Sequence, residues 1–143
     1  MRRLIIDTAT PILSVALFDD NRVIGHHQAT IGRGHAELLV PVIAALPGGG
    51  RADTIMVGCG PGSFTGIRIA IAAARALALA WGAVLHGFDT LALIEAGGRI
   101  ANDLSPTTPI AVACDGGHGE WFVADAPGQS CALSPDRHTP GSR

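Results

Sequence analysis

The stretch of this 143-residue chain richest in chemical possibility is Gly58-Cys-Gly-Pro-Gly-Ser-Phe-Thr-Gly-Ile-Arg68. Glycine permits positive φ and close backbone approach, and a strand, a turn and a helix start in this order leave amide donors where an anion can bind. Neither common phosphate-loop spacing is present. The run is not G-x-G-x-x-G, and G-x-x-x-x-G-K-[ST] needs a Lys, whereas all 10 basic residues are Arg. A structural tight turn is therefore weighed ahead of phosphate binding. The histidines do not assemble into a metal set: His26 and His27 are adjacent on an expected strand and point to opposite faces, His86 sits on another strand and His118 in a glycine turn. Ser63 precedes Phe64 at a helix cap rather than in a nucleophile elbow. Cys59, Cys114 and Cys131 lack C-x-x-C spacing, and their odd number leaves one thiol unpaired within the chain, which fits a reducing, cytoplasmic compartment.

The elements that must position these residues follow from hydrophobic period and punctuation. Arg3 to Asp7, Ser14 to Phe18 and Arg22 to Gln28 read as three strands of a meander, with a turn at Asp19-Asp20-Asn21. His35 to Leu46 reads as a helix, with Leu38, Leu39, Val42, Ile43 and Leu46 at helical spacing and Pro41 expected to kink it. Thr54 to Gly58 reads as a buried strand, and the glycine turn leads into a long helix capped by Ser63 or Thr65 and ended by Gly82. Ala83 to Phe88 is the next strand, and Asp89 to Ala96 a short helix stopped at Gly97-Gly98. The order is βββαβαβα, an α/β mixed sheet in a unit spanning residues 1–98.

Residues 99–108 read as a polar linker, residues 109–126 as a hairpin with its turn at Asp115 to Gly119, and residues 127–143 as a loose tail rich in Pro, Gly and Ser. Composition agrees with a packed core. Hydrophobic residues make up 48% and charged residues 15%, but with four Phe, two Trp and no Tyr the interior must be aliphatic. A net charge of −2 gives no long-range field to gather nucleic acid or an anionic membrane. The most apolar stretch, Ile67 to Leu85, is interrupted by Arg68 and Arg75 and falls short of the roughly 18 uninterrupted apolar residues of a membrane span.

Four segments together resemble the TsaB (YeaZ) family: Ile5-Ile-Asp-Thr-Ala-Thr10, Ser14-Val-Ala-Leu17, His35-Ala-Glu-Leu-Leu-Val-Pro41 and Gly60-Pro-Gly-Ser-Phe-Thr-Gly-Ile-Arg68. The signature turn is thus Gly60, Pro61, Gly62, Ser63, Phe64, Thr65 and Gly66, followed by Arg68. The resemblance covers about residues 1–126, and Asp115 to Trp121 is similar to the family's Asp-x-x-x-Gly-Glu-Val-Tyr segment, with Trp121-Phe122 in place of an aliphatic residue and Tyr. It implies an actin-like ATPase (ribonuclease H-like) fold with a five-stranded mixed sheet and a second unit cut short. In that superfamily the turn after the first strand contacts phosphate and a second glycine turn opens the second unit; here these are Asp7, Thr8 and Thr10, and Asp115, Gly116 and Gly117.

The functional implication is a non-catalytic scaffold or activator in tRNA threonylcarbamoyladenosine synthesis. The family's members bind the catalytic subunit TsaD, and with it TsaE, in the complex that modifies N6 of the adenosine beside the anticodon. TsaD carries paired histidines four apart on a helix; His35 has Leu39 at that offset, so neither a metal nor a glycoprotease chemistry is expected of this chain. No nucleotide cofactor is expected either, because the adenine and ribose subsite lies late in the superfamily's second unit. The family docks, and dimerises, through its two first-unit helices, which makes Leu38, Leu39, Val42, Ala70, Ala73, Ala74 and Leu77 the interface candidates. Contact with tRNA is expected only through TsaD, and no membrane contact. The alternative is a small degenerate actin-like nucleotide-binding enzyme using the Asp7 and Gly60 turns.

Overall fold

In the computed structural model, which describes residues 1–117, 119–126 and 129–133, eight strands and three α-helices follow one another as β1 (Arg2–Asp7), β2 (Ile12–Asp19), β3 (Arg22–Thr30), α1 (His35–Ala45), β4 (Thr54–Gly58), α2 (Phe64–Trp81), β5 (Val84–Phe88), α3 (Thr90–Ala101), β6 (Val112–Gly117), β7 (Glu120–Ala126) and β8 (Gln129–Leu133). The first five strands form one sheet in the order β3-β2-β1-β4-β5. β1, β2 and β3 are the expected antiparallel meander, and β4 and β5 add in parallel on the other side of β1. Parallel neighbours need crossovers, which α1 and α2 supply.

Register explains the core. Leu4 faces Leu17 on one side and Ile55 on the other, and Ile6 likewise faces Val15 and Val57. These two rows are buried and are covered by Leu39 and Ile43 of α1 and by Ala70 and Ala74 of α2. Two residues apart on each strand, both rows point to the same face, so period-two patterning becomes a continuous aliphatic floor. α1 lays its four-residue-spaced edge, His35, Leu39 and Ile43, on that floor and continues across Pro41.

α2 starts where Ser63 Oγ accepts from Gly66 N at 3.2 Å and stops at Gly82, which is left-handed. Thr65 takes no part in the cap. By length and composition alone this helix is apolar enough to cross a membrane, a test that the core helix of a soluble protein also passes, and Arg68 and Arg75 interrupt its apolar run as expected. In the fold it lies against the sheet, with Gly66, Ala70 and Ala74 buried and Arg68 and Arg75 exposed.

Two expectations are corrected. α3 does not stop at Gly97-Gly98 but runs to Ala101. A helical glycine costs only about 1 kcal/mol, and here the last turn is tied by an Arg99–Glu95 ion pair at 2.9 Å and by Asn102 Nδ2 donating to Gly98 O at 2.9 Å. Gln129–Leu133, inside the stretch read as a loose tail, form β8 and pair antiparallel with β7, giving a second sheet β6-β7-β8. The open edge of β7 offers a row of backbone donors and acceptors that a weakly patterned segment can satisfy. Residues 134–143 of that tail lie outside the described residues.

Candidate functional site

Asp7, at the end of β1, is nearly buried, and its Oδ1 accepts from Ala9 N at 2.8 Å. Burial pushes the Asp7 carboxyl above its ordinary value of 3.8, with the Ala9 amide pulling the other way. Thr8 is fully buried, and its hydroxyl donates to Gly66 O at 2.6 Å. The next step is a backbone bond, Ser63 N to Ala9 O at 2.6 Å, and Thr10 Oγ1 accepts from Ile12 N at 3.2 Å.

The two stretches singled out for phosphate chemistry are therefore a single interlocked unit. The Asp7–Thr10 turn presses directly on the signature turn. A Cβ at Gly66 would collide with the Thr8 carbonyl oxygen, and one at Gly62 with that of Ala9. Glycine is required at these two positions because backbone meets backbone there. The signature turn also carries a cis Gly60-Pro61 bond, and Gly60 O accepts from Thr90 N at 2.8 Å, which ties α3 to the same knot. Within this turn the Thr8 hydroxyl and the Ala9 amide are already engaged, by Gly66 O and by Asp7 Oδ1.

Beside the knot lies a cleft of about 660 Å³, lined on one side by Thr10, Ser63, Thr65 and Gly66 and on another by Arg33, Gly34, His35 and Glu37, with Asp115 and Gly116 closing it from the second sheet. The structure thus brings Thr10, Asp115 and Gly116 to one cleft. Asp7 and Thr8 are buried and are not among the lining residues, and Gly117 ends β6. The Arg33–Glu37 wall was not among the sequence candidates; the Gly32 and Gly34 punctuation before α1 is the signal that marks it. His35 is buried there, and its Nε2 has no hydrogen-bond partner among the described residues. Cys114 approaches Pro61 O with its Sγ at 3.6 Å, and burial, followed by the charges of Asp7, Asp115 and Asp89, pushes its thiol up. Among the described residues no group of three His, Cys, Asp or Glu could hold a metal ion.

The interface candidates divide into three sets. Leu39, Ala70 and Ala74 are core residues, and Val42, Ala73 and Leu77 are half-buried against the same core. Leu38 is exposed. The faces turned outward are instead Leu38 and Val40 of α1, 43% and 50% exposed, and on α2 Phe64, Arg68, Ala72, Arg75 and Leu79, with Phe64 at 73% and Leu79 at 87%. The reason is the contact of Gly66 with Thr8, which sets the rotation of α2 so that its small edge of Gly66, Ala70 and Ala74 meets the sheet. Arg68 stacks over the Phe64 ring at 4.8 Å, a cation–π pair one turn apart at the start of this face. No ion pair to Arg75 forms among the described residues.

Comparison with known proteins agrees with this architecture. The family model described as TsaD: tRNA N6-adenosine threonylcarbamoyltransferase matches residues 25–134. The tRNA threonylcarbamoyladenosine biosynthesis protein TsaB of Escherichia coli is 36% identical over 130 residues, covering 87% of this chain and 54% of that protein. An uncharacterized protein of Mycobacterium tuberculosis is 39% identical over 107 residues, covering 70% of this chain and 50% of that one. The structure of YeaZ from Pseudomonas aeruginosa superposes with a TM-score of 0.77 at 28% identity, covering 99% of this chain and 71% of that one. The chain spans about half the length of the curated relatives it matches. By this family match, and by a five-stranded mixed sheet that superposes on YeaZ with its actin-like, ribonuclease H-like fold, the chain belongs to the TsaB/YeaZ family within the broader TsaD family.

Proposed function

We propose that this chain takes part in tRNA threonylcarbamoyladenosine biosynthesis as a docking and activating subunit that contributes no catalytic residue. The supporting observation is the interlock between Thr8 and Gly66, which commits the groups of the first turn to holding α2 in place. What α2 then presents is an exposed stripe of Phe64, Ala72 and Leu79 with Arg68 and Arg75 among them, and α1 separately exposes Leu38 and Val40. On this reading the stripe receives helices of TsaD, TsaE joins through TsaD, tRNA is held by TsaD in the cytoplasm, and a second copy of the chain competes for the same face. Arg68 and Arg75 lie within the stripe and would find carboxylates on the partner. Because the partner is favoured only in the form that fits this face, binding shifts it toward that form.

The test is reconstitution. Threonylcarbamoyl transfer to tRNA by TsaD and TsaE is measured with and without this chain. Stimulation that survives Asp7→Asn and Thr10→Ala supports an activator; loss of activity in either variant with TsaD binding intact would make the turn catalytic and overturn the reading. The cleft beside the knot favours a second reading, a degenerate nucleotide-binding enzyme. It predicts micromolar binding of ATP and magnesium to the isolated chain, lost in Thr10→Ala.

A further inference from the structure

The segment joining the two sheets is folded onto the end of α3 by one side chain. Arg99 Nε donates to Glu95 Oε1 at 3.0 Å and its Nη2 pairs with the same oxygen at 2.9 Å, while Nη1 donates to Ser105 O and to Thr108 O, each at 2.9 Å. Backbone bonds complete the loop: Leu104 N to Arg99 O at 2.9 Å and Thr108 N to Ser105 O at 3.0 Å. Just before Arg99, Gly97 and Gly98 have open space where a side chain would be, so the helix there is held by the bonds to Gly98 O from Asn102 and not by packing at the glycine Cα positions. Beyond the loop, β6 meets the first unit through the contact of Cys114 Sγ with Pro61 O, and Asp115 and Gly116 form one wall of the cleft.

We propose that Arg99 is a clasp that holds the second sheet closed over the cleft, with Gly97-Gly98 as the hinge about which it swings when the clasp is released. A guanidinium suits this task because its planar fork serves a carboxylate along one edge and two carbonyls from the remaining nitrogen. A Lys ammonium on the same stem cannot span all three acceptors. Glu95 neutralises the charge in place, so the clasp leaves no isolated cation half-buried at the joint. Neither residue belongs to the core cluster, so release can loosen the joint while the five-stranded sheet stays folded.

Cys114 is a native reporter. It is buried at the seam, whereas Cys59 is exposed and serves as an internal reference. Iodoacetamide labelling of the 143-residue chain, read for each cysteine by peptide mass spectrometry, is compared for wild type, Arg99→Ala and Arg99→Lys, with amide exchange at Leu4 and Ile55 monitored in parallel. The expected result is labelling of Cys114 about tenfold faster in both variants, with Cys59 and the core amides unchanged. Unchanged labelling of Cys114 in Arg99→Ala overturns the clasp. Faster labelling matched by an equal loss of protection at Leu4 and Ile55 also overturns it, since Arg99 would then support the whole fold rather than the joint.

Discussion

Thr8 and Gly66 share one hydrogen bond and one close backbone approach, and together they decide where α2 sits. Replacing Thr8 with Val keeps the shape and removes the bond, for an expected loss of about 1 kcal/mol of unfolding free energy in urea melts. Gly66→Ala is more severe because the neighbour that must move is the Thr8 carbonyl, itself fixed in the knot; a loss of about 3 kcal/mol or failure to fold is expected. Asp7 adds a dependence on pH. Its folded-state carboxyl titrates above 3.8, so the unfolded chain releases that proton first as pH rises. Stability from this group is therefore full below 3.8, falls through the window up to the raised folded value, and stays lower above it. Asp7→Asn keeps an acceptor for Ala9 N and removes the titration. Urea melts from about pH 3 to about pH 7 should show the variant gaining on wild type through this window and then holding level; a constant difference would contradict the assignment.

At the scale of elements, α2 has an inner edge and an outer stripe that respond oppositely. Ala74→Leu overfills a closed contact and should cost about 1–3 kcal/mol. Ala72→Glu, two residues away on the outer side, should leave the unfolding free energy in urea melts within about 0.5 kcal/mol of wild type. This division is what the sequence shows least. Leu4 and Ile6, or Leu13, Val15 and Leu17, announce their face by alternation, and the five-stranded order is legible from them together with the punctuation between elements. In α2 the alanines go all the way round, so hydrophobic period does not say which turn meets the sheet. The choice is made by Gly66 against Thr8, a contact between residues 58 positions apart. β8 is illegible for a different reason: Gln129–Leu133 carry little pattern of their own, and their pairing is imposed by β7. Arg99 reads in sequence as one charge near a helix end, and its partners at Ser105 and Thr108 emerge only when the linker folds back. The signature turn is legible as a motif, whereas its purpose as a backbone-to-backbone seat is not.

For the whole molecule, one half of an actin-like architecture is built around a knot that positions helices, and the cleft beside it is walled by a second, smaller sheet. The proposed division of labour assigns chemistry to TsaD and shape to this chain. Calorimetric titration with ATP and magnesium should accordingly show no saturable heat at micromolar concentrations; saturable binding abolished by Thr10→Ala would favour the enzyme reading. The central claim is tested most directly by titrating the chain and its Ala72→Glu and Leu79→Glu variants into purified TsaD. Wild type should bind, and each variant, which would bury a carboxylate in the contact and draw Arg68 or Arg75 away from the partner, should weaken the complex by about tenfold or more while keeping its fold. Undiminished affinity in both variants, or no association of the wild-type chain with TsaD, would contradict the docking assignment.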